Sequence, residues 1–304
     1  MTKIIPKNIL ILAALFLPIQ ANTQTAFAET DKTTLHFKHF PNPKSEFKGT
    51  FLFQNGSGTS LEEWTNNKKF FDCVKRNGSA LMYDRSGLGK SPPDFSISTE
   101  NPITAKLVNS KLISLLKANQ ITAPYILVSH SHGGMYSGYF ARKYPDSIAG
   151  MLMVAPVPPD YQYSSTVMEK FRITQAKLKG KSSKEAYKLD NLDSPSEGNT
   201  MTADAFYQQL GFETTKEQVS KLPEMTSNFP ITILSSSDMG KNAPIKGDWH
   251  TLQKQWLNQN PESMILQAQG GHFLQFDQPR LICKELKKLV DIAIQSSKED
   301  SRLQ

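Results

Sequence analysis

The feature that most constrains this chain is the run Pro124-Tyr-Ile-Leu-Val-Ser-His-Ser-His-Gly-Gly-Met-Tyr-Ser-Gly-Tyr-Phe140. An apolar segment of β type stops at one serine set among small residues, and a helix-prone segment follows. Ser129 to Gly133 reads S-H-S-H-G, one residue away from the G-x-S-x-G turn. In that turn small flanks let the backbone fold back sharply enough to hold a strained serine at a strand tip. Ser131 is therefore the candidate nucleophile. A serine hydroxyl attacks poorly until a base takes its proton, so the pattern calls for a histidine and an acid far along the chain but near in space.

Around this turn, short β-rich runs alternate with amphipathic helical patterns, which predicts an α/β fold with a mostly parallel sheet flanked by helices. Strands are expected at Thr34–His39, Lys48–Gln54, Ala80–Tyr83, Tyr125–Ser129, Gly150–Val154, Ile231–Ser235 and Met264–Gln267. Helices are expected at Leu61–Arg76, Ile103–Asn119, Gly133–Tyr144, His250–Asn258 and Pro279–Gln295. Between Pro159 and Pro230 the alternation stops and the chain turns polar and helix-prone, with pieces at Val167–Leu178, Ser183–Leu189, Ala203–Leu210 and Lys216–Lys221 and a loop at Ser194–Asn199. Structureless loops beyond about 15 residues are uncommon in compact domains, so this stretch reads as a helical cap. The expected organisation is a leader over 1–28, a first core part over 29–159, the cap over 160–228 and a second core part over 229–304.

The leader has its own signature. Lys3 and Lys7 precede an uncharged apolar run from Ile9 to Ile19, and Ala26-Phe27-Ala28 follows in the small-x-small pattern of a cleavage site, as in a secretory signal peptide. The apolar run is too short to span a bilayer, which takes about 20 helical residues. The expectation is an exported, periplasmic or secreted product starting near Glu29, with no membrane span once the leader is gone. Removing 1–28 takes the formal charge from +7 to +5, and no Lys/Arg cluster is interleaved with aromatics, so nucleic acid is not an expected partner.

Four segments in a fixed order resemble the α/β-hydrolase superfamily, in its capped, serine esterase-like branch. They are Phe53-Gln-Asn-Gly-Ser-Gly58, Tyr83-Asp-Arg-Ser-Gly-Leu-Gly-Lys-Ser91, the turn at Ser131, and Gly270-Gly-His-Phe-Leu-Gln275. Each alone is weak; the order and spacing over nearly all of the chain after the leader carry the resemblance. It implies the chain order serine, acid, histidine. His272 fills the place of the base, after the last strand and before the last helix. Asp238, following the Ile231–Ser235 strand, fills that of the acid, with Asp160 and Asp248 as alternatives. The implied oxyanion donors are the backbone N–H groups of His132 and Ser57; relatives usually have His-Gly where this chain has Asn55-Gly56. In the implied fold the helices carrying Cys73 and Cys283 lie side by side, so the two can form a disulfide, the alternative being two buried free thiols.

Other patterns compete. His130 and His132 sit two apart, as strand residues sharing a face do, but no third ligand accompanies them and His132 should open a helix, so no metal is expected. Asn55-Gly-Ser57 and Asn77-Gly-Ser79 match the glycan acceptor pattern, and a glycan on Asn55 would obstruct the site. Tyr161, Tyr163, Phe171, Phe206, Tyr207 and Phe212 either line an acyl pocket or pack the cap on the core, and packing is the reading adopted for most of them. The expected chemistry is cofactor-free hydrolysis of a small-molecule carboxylic ester through an acyl-enzyme on Ser131. Amide, peptide or lactone hydrolysis and a non-catalytic binding protein of the same fold are the alternatives.

Overall fold

The computed structural model describes residues 23–29, 34–179, 181, 183–186, 192–193, 200–201, 203–239 and 248–303. In chain order, β1 (Gln24–Glu29) and β2 (Thr34–Phe40) precede β3 (Thr50–Gln54), α1 (Glu62–Thr65), α2 (Lys68–Asn77) and β4 (Ser79–Tyr83). Then come α3 (Ala105–Ala118), β5 (Tyr125–His130), α4 (Gly133–Lys143) and β6 (Ile148–Val154). Between β6 and the next sheet strand stand α5 (Ser165–Leu178), α6 (Ser183–Ala186), the short pair β7 (Leu192–Asp193) and β8 (Thr200–Met201), α7 (Ala203–Leu210) and α8 (Phe212–Ser220). The chain closes with β9 (Ile231–Ser236), α9 (Trp249–Gln253), β10 (Met264–Ala268), α10 (Leu274–Asp277) and α11 (Pro279–Leu303).

The main sheet has eight strands in the order β1-β2-β4-β3-β5-β6-β9-β10. The β1/β2 and β2/β4 pairs are antiparallel and all the others parallel. β5 lies near the middle and is buried throughout, as a strand covered on both faces must be. Its side chains alternate: Tyr125 and Leu127 join the core that holds α3, α4 and the insertion, while Ile126 and Val128 join the core under α2 and α11. A disulfide joins Cys73 on α2 to Cys283 on α11, with Cα atoms 6.0 Å apart, so the two helices of that second face are covalently tied. No helix among the described residues is long and apolar enough to cross a membrane.

Where elements differ from the sequence expectations, local chemistry explains it. The helix expected over Leu61–Arg76 is two, because the Asn67 side chain accepts from Phe70 N–H and caps α2, starting a new helix where the first would have continued. α9 is shorter than expected, capped by Asp248 and followed by a single 3-10 turn at Lys254–Trp256. α11 runs eight residues past Gln295 to Leu303. Ala26-Phe27-Ala28 lies in β1, the outermost strand, paired with Leu35, His36 and Phe37 of β2; residues 1–22 lie outside the described residues, as do 187–189 and the expected loop at Ser194–Asn199.

Candidate active site

Parallel strands deliver their following loops to one edge of the sheet, and the candidate residues gather there. Ser131 stands between β5 and α4 with φ +52°, a conformation that costs a non-glycine residue energy and is held by its surroundings. Its N–H donates to Val154 O (3.1 Å), and its carbonyl accepts from Gly134 N–H and Val157 N–H (both 2.9 Å). Gly133 is required beside it, since a Cβ there would lie 2.3 Å from Gln54 O and 2.6 Å from Asn55 O. The first turn of α4 therefore rests directly on the loop after β3.

His272 reaches Ser131 from the loop between β10 and α10, its Nε2 2.7 Å from Ser131 Oγ. With the serine hydroxyl donating to Nε2, the ring proton belongs on Nδ1, which is buried and has no hydrogen-bond partner among the described residues. Burial and the neighbouring His130 hold the His272 pKa below its usual 6.5, so the ring is neutral and able to accept a proton at neutral pH. The loop is pinned from behind: Asp238 N–H and Ser236 Oγ donate to Gly270 O at 3.0 and 2.6 Å, and Gly271 N–H donates to Asp277 Oδ2 at 2.8 Å.

The three candidate acids are placed differently. Asp238 follows β9 with its backbone beside the base loop, and its side chain is exposed. Asp248 caps α9, accepting from His250 N–H (3.1 Å) and Thr251 Oγ1 (2.5 Å). Asp160, also exposed, accepts from Gln255 Nε2 at 2.8 Å. Among the described residues no carboxylate is hydrogen-bonded to His272 Nδ1. Asp248 and Asp160 are thus committed to a helix cap and to Gln255.

The oxyanion donors implied by the sequence are the backbone N–H groups of His132 and Ser57. His132 heads α4, where backbone N–H groups and the helix dipole favour negative charge. The loop holding Ser57 is clamped: Arg85 donates from Nη1 to Asn55 O (2.9 Å) and from Nη2 to Gly56 O and Gln208 Oε1. The Asn55 side chain donates to Tyr83 O and accepts from Trp64 Nε1. That residue is 1% exposed, so a glycan cannot occupy it in the folded chain, and the Asn-Gly that replaces His-Gly here is held by dedicated partners. Asn77, the second match, donates to Cys73 O at the end of α2.

The insertion covers this edge. Gln209 on α7 donates to Ser57 Oγ at 2.8 Å and accepts from Tyr163 OH. Phe212 on α8 and Tyr136 on α4 flank the His132 ring at 5.5 and 5.0 Å, and Trp249 lies between Tyr161 (5.6 Å) and His272 (6.3 Å). Of the six cap aromatics, Tyr161, Phe171, Phe206, Tyr207 and Phe212 are buried and Tyr163 is packed against them. Desolvation with the nearby Arg85 drives His132 down to about 3, so it is neutral, and neither it nor His130 belongs to any metal-binding group among the described residues.

Sequence reasoning missed Glu63, Arg85, Trp249, Gln209 and Gln275 as neighbours of the site. Arg85 and Gln275 had a signal in the glycine-rich segments Tyr83–Ser91 and Gly270–Gln275; the others carried none, since a lone Glu or Gln in a helical stretch reads as solvated surface.

Comparison with known proteins agrees with this architecture. A model of the alpha/beta hydrolase fold matches residues 49–289. The uncharacterized protein YqjL of Bacillus subtilis (strain 168) is 25% identical over 248 residues, covering 80% of this chain and 84% of that protein. Among solved structures, the haloalkane dehalogenase DbeA from Bradyrhizobium elkani USDA94 superposes with a TM-score of 0.63 at 16% identity, over 91% of this chain and all of that one. The carboxylesterase CesB (YbfK) from Bacillus subtilis gives 0.55 at 14% identity, over 88% and 92%. With the family model spanning most of its length, this chain belongs to the alpha/beta hydrolase fold family and has the fold of a hydrolase.

Proposed function

We propose that the protein is a serine hydrolase that cleaves a small carboxylic ester through an acyl-enzyme on Ser131, without a cofactor. The observation that carries this reading is the 2.7 Å contact between Ser131 Oγ and His272 Nε2 at a strained strand–helix turn. In the proposed cycle Ser131 Oγ attacks the carbonyl carbon as its proton passes to His272 Nε2. The oxyanion is met by the N–H groups of His132 and Ser57, each such donor typically contributing about 3 kcal/mol. Collapse returns the proton to the leaving alkoxide, and water, deprotonated by the same nitrogen, then releases the acid and restores Ser131.

Asp238 is the proposed acid, because it follows β9 at the edge where the candidate residues gather and its backbone N–H already touches the base loop at Gly270. Catalytic contacts are often loose without substrate and tighten in the complex. A serine also explains why halide displacement, the activity named for DbeA, is not proposed here: alkylated serine is an ether, which water at a histidine cannot hydrolyse.

Export is proposed as well. Lys3, Lys7, the apolar run and Ala26-Phe27-Ala28 support a leader, and the Cys73–Cys283 bond suits an oxidising compartment. Cleavage near Glu29 would remove β1 and leave β2 as the sheet edge, an outcome that mass analysis of the N-terminus of the exported product checks directly. The activity test is turnover of p-nitrophenyl acetate and butyrate beside the matching anilides and a haloalkane. Ester turnover lost in Ser131→Ala supports the reading; anilide turnover at comparable kcat/KM moves it to an amidase, and halide release overturns it.

A further inference from the structure

Behind the proposed base lies a second, fully buried acid–base pair. Glu63, on α1, is 7% exposed and His130, the last residue of β5, is 1%. The alternation of β5 explains the placement: His130 shares its face with Ile126 and Val128, pointing into the core under α2 and α11 and away from the serine next to it. There it lies 6.4 Å from the Trp64 ring.

The partners of this pair are unusual in where they come from. Glu63 Oε2 accepts from Gly56 N–H at 2.9 Å and from Thr59 Oγ1, both in the loop after β3. Glu63 Oε1 accepts from Gln275 Nε2 at 2.7 Å and is in ion-pair contact with His130 Nδ1, although that N–H is not aligned on the oxygen. The other ring nitrogen, His130 Nε2, is 2.9 Å from the main-chain oxygen of His272. The His130 and His272 rings are 4.7 Å apart. Each His130 nitrogen thus faces an oxygen, Glu63 Oε1 on one side and the His272 main-chain oxygen on the other. Burial pulls Glu63 upward, but the adjoining His130 and the hydrogen bonds from Thr59 and Gly56 hold it below the ordinary carboxylate range.

We propose that Glu63 and His130 are a positioning pair for the Ser131 chemistry, a buried ion pair that fixes the His272 main chain and the oxyanion loop in one register. The proposal rests on the serine hydrolase reading. A buried ion pair is a poor source of stability, because desolvation offsets most of its attraction, and well-packed apolar residues can do as well. What the ion pair adds is direction. Every group it holds lies in a segment that carries a proposed reacting group: Gly56 beside Ser57, His130 beside Ser131, and Gln275 in the short helix after His272. The main-chain oxygen of His272 is held directly. A displacement of about 1 Å in such a group can cost about 100-fold in rate.

The titratable groups around His272 among the described residues are His130 at the end of β5 and Ser131 after it, Glu63 behind His130, Asp238 after β9 and Asp277 on α10. Of these, His130, with its ring 4.7 Å from that of His272, opposes protonation of the base.

The test is steady-state hydrolysis of a p-nitrophenyl ester across pH by purified wild-type protein, Glu63→Gln, His130→Phe, His130→Gln and Gln275→Met, with Ser131→Ala as the reference for loss of chemistry. The account expects kcat to fall about 100-fold in Glu63→Gln and His130→Phe with KM nearly unchanged. It expects His130→Gln, whose amide can still donate to His272 O, to recover a tenth or more of wild-type kcat. The acid limb of kcat/KM should move to higher pH in His130→Phe, because the charge opposing protonation of His272 is gone. Gln275→Met cuts only the hydrogen bond from α10 to Glu63 and serves if the buried-charge variants do not fold; a kcat loss of about tenfold at constant KM is expected. Folded variants with kcat within threefold of wild type and an unmoved acid limb would overturn the positioning role while leaving the serine reading intact. Turnover retained in Ser131→Ala would overturn both.

Discussion

The two sides of the Ser131 turn solve the same problem with opposite chemistry. On one side His130 is paired with a carboxylate and hydrogen-bonded to the base loop. On the other, His132 is packed between Tyr136 and Phe212, its Nε2 buried and unpartnered, and desolvation keeps it neutral. Identical residue types two positions apart become a charged tether and an apolar wedge because β5 ends between them. His130 still obeys strand alternation and faces the α2/α11 core; His132 already belongs to the helix and faces the insertion. Side-chain type at this site says little until the element that aims it is known.

That contrast can be broken in several places. The largest effect belongs to neither side but to the residue between them: Ser131→Ala or His272→Ala should lower kcat by roughly 10⁴- to 10⁶-fold with the fold intact by circular dichroism. Asp238→Asn should cost about 10⁴-fold if the carboxylate closes on His272 Nδ1 in the complex, since the amide favours the wrong tautomer; a loss under tenfold would assign the acid elsewhere. Removing the charged side's acid, Glu63→Ala, strands a buried His130 and three donors, and should lower unfolding free energy by about 3–5 kcal/mol in urea titrations. The apolar side should be far more forgiving. His132→Phe keeps its volume class and loses no hydrogen bond, so stability should change by less than about 1.5 kcal/mol and the oxyanion donor, a backbone N–H, survives. If His132→Phe proved as damaging as Glu63→Ala, the two sides would not differ in the way described.

The smallest effect is a displacement in pH. The proposed mechanism needs His272 unprotonated, so activity is present above its pKa and lost as pH falls through it. Burial and the neighbouring His130 lower that pKa, which places the acid limb of kcat/KM below pH 6.5. A limb above 6.5 would mean that a carboxylate at Nδ1 outweighs both.

Much of this was legible in the chain itself. The strands named from their β-rich runs are the parallel strands of the sheet and its antiparallel β2, and Ser131 and His272 stand where the resemblance implied, because glycine-rich turns next to apolar runs leave a local mark. The break at Asn67 and the cap at Asp248 were written in residues that compete with the helix for backbone N–H groups, yet each needed the fold to show which way it would resolve. Glu63 was illegible for a stronger reason. Its meaning comes from partners 67 and 212 positions away, His130 and Gln275, and no local pattern records a contact between segments that distant. β1 shows the converse: the same six residues carry both a cleavage-site pattern and an edge strand.

The central claim is that His272 activates Ser131, and mass-spectrometric mapping of a fluorophosphonate adduct on the folded protein tests it most directly. The account predicts one modified residue, Ser131, with labelling abolished in Ser131→Ala and strongly slowed in His272→Ala. Unlabelled Ser131 in folded protein that nevertheless turns over esters, or labelling at another residue that tracks that activity, would contradict it.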